Sequence, residues 1–265
     1  MFTPIGYFAA AAPTAFDPSL GGTLTVNHWW DFTDSSTMTL SGTNITSISD
    51  KQGSYNVTTA WNSGPTFVDE ATGARFDNAG LSETSALPST LAAGATAPDL
   101  TWVIISTPDV TGNLMRLVGI RSTGTYGRDD FQPMTTAGSK LWGAVINSNN
   151  GGSGAYYVVA HDWDGSDYAS GYQGVTLGVE QVWSMRTYWS GTTNTFDVSL
   201  DGRAYGGAKS DTNGNTGPSD GLTFGARFHT AYQNPYYGYM KHVLVYNGQL
   251  SDANISDIYT AWTSL

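Results

Sequence analysis

The stretch Gln181-Val-Trp-Ser-Met-Arg-Thr-Tyr-Trp189, followed by Phe196-Asp-Val-Ser-Leu200 and Asp201-Gly202, decides the fold class. In its second arm Phe196, Val198 and Leu200 alternate with Asp197 and Ser199. That is the period of two that a β-strand imposes on its side chains, and it predicts one buried face and one wet face. Residues 190–195 join the two arms into a hairpin, and Asp201-Gly202 supplies the tight turn that follows. Outward from this hairpin the chain continues as short strands separated by turn residues. Residues 24–32, 116–121, 141–146, 155–160, 221–228 and 236–246 all read this way. Leu40, Ile45 and Ile48 sit on either side of a Ser-Gly turn. Residues 101–107 form a near-continuous apolar run, the mark of a strand buried on both faces. Many short strands with regular turn signals indicate a sandwich or barrel. The exception closes the chain: Ser251 is a helix N-cap, and Ile255, Ile258, Tyr259 and Trp262 recur at helical spacing.

Composition narrows the function classes. The chain has 265 residues, with 22 acidic against 11 basic side chains and a formal charge of −11. Phosphate neutralisation needs clustered Lys and Arg, so nucleic acid and anionic membrane are excluded as partners. The absence of Cys removes disulfides, thiolate metal sites and Cys nucleophiles. Charged residues are only 12% and aromatics 13%, a balance that disordered acidic chains do not have. No linker divides the chain, which reads as an arm over residues 1–22 and one domain over 23–265. Pro4, Gly6 and Pro13 interrupt the opening run, and no Lys or Arg precedes Lys51, so it lacks the pattern of a secretory signal. Phe2, Ile5, Tyr7, Phe8 and Phe16 are costly to leave in water, at roughly 1.5–3 kcal/mol for each large side chain. They are the candidate partner-docking residues, with a frayed tail as the alternative.

The order of these pieces resembles the laminin-G-like, concanavalin A-like jelly-roll family over residues 24–263. The motifs that carry it are Trp29-Trp-Asp-Phe-Thr-Asp34, Thr39-Leu-Ser-Gly42, Ile48-Ser-Asp-Lys-Gln-Gly53 and Ala74-Arg-Phe-Asp77 with Leu81. The hairpin ending Ser199-Leu-Asp-Gly202 and the close Gly238-Tyr-Met-Lys-His-Val-Leu-Val-Tyr-Asn247, then Leu250-Ser-Asp252, complete it. The resemblance implies an all-β, two-sheet antiparallel jelly-roll β-sandwich with a short C-terminal helix. Such domains are common in bacteriophage virion proteins. The expectation is therefore a non-enzymatic capsid decoration protein, or otherwise a tail or fibre protein, bound to the major capsid protein or other virion proteins. A homo-oligomer on the particle is the further partner expectation. The alternative is a lectin-like carbohydrate-binding module for host surface glycans.

Retaining glucanases of this fold place paired carboxylates on one strand face, whereas Glu70, Glu83 and Glu180 are isolated in sequence. No metalloprotease, phosphate-loop or nucleophile-elbow motif occurs, so no catalytic residue is assigned. His28 and His242 fall within strands and read as packed or hydrogen-bonded. The loop His161-Asp-Trp-Asp-Gly-Ser-Asp167 sets Asp162, Asp164 and Asp167 together, a candidate Ca²⁺ site whose alternative is an ordinary Asp-rich turn. No other cofactor is implied. Sugar sites stack an aromatic ring beneath the pyranose within a polar rim, and Trp163, Tyr232, Tyr236 and Tyr237 are the candidates near polar loops. The alternative for each ring is a place in the core.

Overall fold

A computed structural model describes residues 15–85, 87, 88, 90, 91, 99–109, 114, 115, 117–121, 142–147, 156–162, 173–190, 193–211, 221–228, 232, 233 and 235–265. Two antiparallel sheets form a sandwich, as the alternation predicts. The larger has ten strands, running in space Gly206–Asp211, Thr193–Leu200, Gln181–Ser190, Leu100–Pro108, Tyr237–Asn247, Gly73–Asp77, Thr66–Asp69, Asn44–Ile48 and Met38–Ser41. Val26–Asp31 is the tenth and pairs with the later half of Tyr237–Asn247. The facing sheet is Val118–Arg121, Gly221–Phe224, Gly80–Glu83 and Thr59–Trp61. A further four-stranded sheet holds Leu114–Met115, Trp142–Asn147, Tyr156–Asp162 and Gln173–Val175, and Arg227–Phe228 pairs with Tyr232–Gln233.

The central strands explain why the large sheet needs two cores. Along Leu100–Pro108, Trp102 and Ile104 point into the sandwich while Val103 and Ile105 point out of its back. Trp30, Phe32, Phe76, Leu81, Leu222, Phe224, Val243 and Val245 fill the space between the sheets. Behind the large sheet lies a second apolar layer of Val103, Ile105, Val182, Leu244 and Tyr246. The helix Asp252–Thr263 covers it through Ile255 and Ile258, which are fully buried and contribute roughly 1.5–3 kcal/mol each. Ser251 caps this helix as the sequence predicts: its hydroxyl accepts the Asn254 N–H at 3.2 Å, and the Asn254 Oδ1 accepts the Ser251 N–H at 3.0 Å. Among the described residues, no helix is long and apolar enough to cross a membrane.

Two expectations change here. The hairpin pairs Trp183 with Leu200 and Met185 with Val198, as read. Its second face is not wet, however: Asp197 is 3% exposed and Ser199 0%. The cross-strand neighbour Arg186 and the segment after the hairpin cover that face. The Arg186 guanidinium meets Asp197 at 2.9 Å through both Nε and Nη2, and its plane lies over the Tyr205 ring at 3.9 Å. Phe16 is likewise no docking residue. Only 8% exposed, it belongs to the second core, edge-on to Trp262 with ring centres 5.2 Å apart. The segment behind it is fixed to the sheet by the Tyr246 hydroxyl, which donates to the Pro18 carbonyl at 3.0 Å. Phe2, Ile5, Tyr7 and Phe8 lie outside the described residues.

Candidate functional site

A cleft of about 830 Å³ opens beside the second core, where the strand Val26–Asp31, the middle of Tyr237–Asn247 and the end of the C-terminal helix meet. Strand alternation builds it. His28, Trp30 and Phe32 turn toward the inner side, so Trp29 and Asp31 turn outward into the cleft. The pairing of Asp31 with His242 and of Trp29 with Leu244 fixes their height along the sheet. Trp262 arrives from the helix, and both cleft tryptophans are half-buried. Phe16 and His242 form the floor between them, with His242 edge-on to Trp262 at 5.1 Å.

Charged groups ring these aromatics. Lys51 reaches Asp31 at 3.0 Å and Asp34 at 2.9 Å, and its ammonium lies 4.3 Å above the Trp29 ring. On the opposite wall Lys241 meets Glu180 at 2.6 Å and lies 5.2 Å from the Trp262 ring. The other Glu180 oxygen accepts the Trp262 indole N–H at 2.7 Å. Burial works to raise the pKa of Asp31, but hydrogen bonds from His242, Thr33 and Lys51 outweigh it and hold the carboxyl well below the usual range. For Lys51 burial works the other way, and Asp34 and Asp31 together still raise its pKa. His242 Nδ1 lies 3.2 Å from both the Trp29 Nε1 and the Asp31 Oδ1. Nδ1 accepts from the indole in one imidazole tautomer and donates to the carboxylate in the other.

Beneath Trp29 a second polar cluster holds the strand in place. Asp50 Oδ1 accepts the backbone N–H groups of Trp29, Gln52 and Gly53 at 3.0, 3.1 and 2.9 Å. Its Oδ2 accepts from His28 Nδ1 at 2.5 Å and from the Tyr55 N–H at 3.3 Å. The far nitrogen of His28 is 2.8 Å from the Thr90 hydroxyl, and the ring stacks on Trp30 at 5.6 Å. Hydroxyl, imidazole and carboxylate stand in line as in a nucleophilic relay. Each is nevertheless committed to the fold: Asp50 closes the 50–55 turn, His28 is buried flat on Trp30, and Thr90 ties a distant loop to both. The reading of His28 and His242 as packed, hydrogen-bonded histidines holds.

Of the sequence-predicted sugar-site residues, the two whose side chains are described, Tyr236 and Tyr237, do not line this cleft. Tyr236 is 0% exposed, its ring packed on Phe76 and its hydroxyl donating to the Tyr239 carbonyl at 3.3 Å. It is a core residue, because the strand that follows carries it between the sheets, and it offers no face to a sugar. Tyr237 is half-buried against the same core. Tyr232 lies in the short Tyr232–Gln233 strand, with its side chain outside the described residues; Trp163 lies outside them altogether. Asp162 ends the strand Tyr156–Asp162, while Asp164 and Asp167 lie outside the described residues. Among the described residues, no group of three or more His, Asp or Glu is placed to hold a metal ion. The cleft residues escaped sequence reading because they are scattered along the chain. One signal was present: adjacent tryptophans in a strand must face opposite ways, so one of Trp29 and Trp30 had to leave the inner core.

No protein-family model matches this sequence, and no curated protein matches it. Solved structures do share its fold. Domain 4 of AbnA, a GH43 extracellular arabinanase from Geobacillus stearothermophilus solved in complex with arabinotriose, is 11% identical with a TM-score of 0.51. That match covers 89% of this chain and 98% of the arabinanase domain. A Trypanosoma rangeli sialidase mutant displaying trans-sialidase activity is 14% identical with a TM-score of 0.55, covering 96% of this chain and 35% of that one. This chain therefore spans about a third of the sialidase. At such identities the likeness is one of fold, and the fold is the all-β sandwich that these proteins share with it.

Proposed function

We propose that this chain is a non-catalytic, lectin-like carbohydrate-binding module that seats a short oligosaccharide in the cleft between Trp29 and Trp262. The observation that carries the reading is the pair of half-buried indoles, each with an ammonium over its ring inside a carboxylate-lined cleft. A ring face that attracts Lys51 or Lys241 attracts the polarised C–H groups of a pyranose or furanose for the same reason, its negative quadrupole. Asp34 and Thr33 line the cleft, where a carboxylate can accept from sugar hydroxyls and a hydroxyl can accept from or donate to them. The arabinanase domain, matched nearly end to end and solved with arabinotriose, supports a sugar as the ligand class. The virion setting draws no support from the matched structures, so the module is defined by its ligand chemistry.

Calorimetric titration with arabinotriose, preceded by a glycan array, tests this reading. Trp262→Ala is expected to weaken binding at least about tenfold, since losing a stacked ring costs on the order of 1.4 kcal/mol. Trp262→Phe keeps an aromatic face and the helix packing, and is expected to retain most of the affinity. A flat array together with no saturable heat would overturn the proposal.

A further inference from the structure

The charge ledger of the cleft points to the class of glycan it takes. Among the described residues that line it, Asp31, Asp34, Glu70 and Glu180 supply four carboxylates against the two ammonium groups of Lys51 and Lys241. Both ammonium groups are already engaged, Lys51 by Asp31 and Asp34 and Lys241 by Glu180. The remaining basic group, His242, is 3% exposed, enclosed by Phe16, Trp29 and Trp262, and faces Asp31. An anionic sugar would bring a further negative charge into a cleft where carboxylates already outnumber ammonium groups and lie within 3.0 Å of each of them. The formal charge of −11 on the whole chain repels anionic ligands at longer range as well.

We infer that the cleft selects neutral oligosaccharides and rejects those carrying carboxylates, such as sialylated or uronic-acid glycans. This inference rests on the sugar-binding reading above. It also separates this chain from the sialidase whose fold it shares, which has been solved with difluorosialic acid as a covalent intermediate.

The test is an array of paired neutral and carboxylate-bearing oligosaccharides, probed with the full chain. The pairs are lactose with 3′-sialyllactose, methyl-esterified with free trigalacturonic acid, and arabinotriose with its aldonic acid. In every pair that binds, the neutral member is expected to bind at least about tenfold more tightly, and the gap is expected to narrow in high salt as the repulsion is screened. Glu70→Lys, at an exposed position on the cleft wall, is expected to narrow the gap without altering the melting temperature. Equal or tighter binding of the acidic members would overturn the selectivity while leaving sugar binding intact. Failure of every pair to bind would overturn the binding reading and this inference with it.

Discussion

Asp50→Asn is the perturbation that tests most directly how the cleft is held. The substitution keeps the shape and removes the charge. An asparagine can keep one oxygen where Oδ1 accepts from Trp29, Gln52 and Gly53. Its NH₂ group then stands where Oδ2 accepted from Tyr55 and His28, so the buried Tyr55 N–H loses its acceptor. An orphaned buried donor costs about 1–3 kcal/mol, and replacing charge-assisted bonds by neutral ones adds about 1 more, for a total of roughly 2–4 kcal/mol. For a chain of this size that corresponds to a fall in Tm of roughly 5–15 °C. The pH dependence has a definite sign. Burial works to raise the pKa of Asp50, but the His28 bond and the backbone N–H groups lower it below its ordinary value. Its contribution is therefore complete above the unfolded value of about 4 and is lost as pH falls through the lower, folded value. Thermal melts of wild type and variant should differ fully at pH 7 and converge in acid. Because Asp50 also holds the backbone of Trp29, sugar affinity should fall in the variant at neutral pH. A Tm change under about 2 °C, the size of an inert surface substitution, would refute the account.

Two further substitutions probe the layers that carry the site. Gly225 adopts φ +83° and a methyl there would overlap the Phe76 ring, so Gly225→Ala combines left-handed strain with overpacking and should cost roughly 2–5 kcal/mol in urea unfolding. Ser251→Ala removes one half of the capping box and should cost about 1 kcal/mol, a drop in Tm of about 2–4 °C by calorimetry.

The sheet interior was legible because its signal is local. The run at residues 101–107 announced a strand buried on both faces, and the structure divides it between two cores. Helical spacing from Ile255 to Trp262 likewise gave the helix and its buried side. The second face of Thr193–Leu200 differs from the sequence expectation because alternation does not show which polar side chains find partners across the hairpin. Asp197 and Ser199 look wet in sequence, yet Arg186 and the Arg203 carbonyl satisfy them beneath the layer that carries Tyr205. Strands such as Thr59–Trp61 and Thr66–Asp69 are too short and polar to show periodicity, and pairing with neighbours makes them strands. Tyr236 shows the same limit in reverse, since polar neighbours in sequence suggested exposure and the sheets enclosed it.

The site was hidden because sheet registry, not sequence proximity, assembles it. Trp29 and Asp31 come from one end of the chain and Lys241, His242 and Trp262 from the other, and the antiparallel match of Val26–Asp31 with Tyr237–Asn247 brings them together. A slip of one residue would exchange Trp29 for Trp30 and bury the wrong indole, so the inner core that fixes Trp30 also fixes what the cleft displays. The polar side of the site is restrained in the same way, with both lysines held by carboxylates before any ligand arrives. A binding face ordered in advance loses little conformational entropy on association, which under the proposed function favours affinity for a sugar. That economy depends on the sheet staying rigid under Trp29. The Asp50–His28–Thr90 cluster supplies that rigidity, since Asp50 holds the Trp29 backbone N–H and His28 joins Asp50 to Thr90.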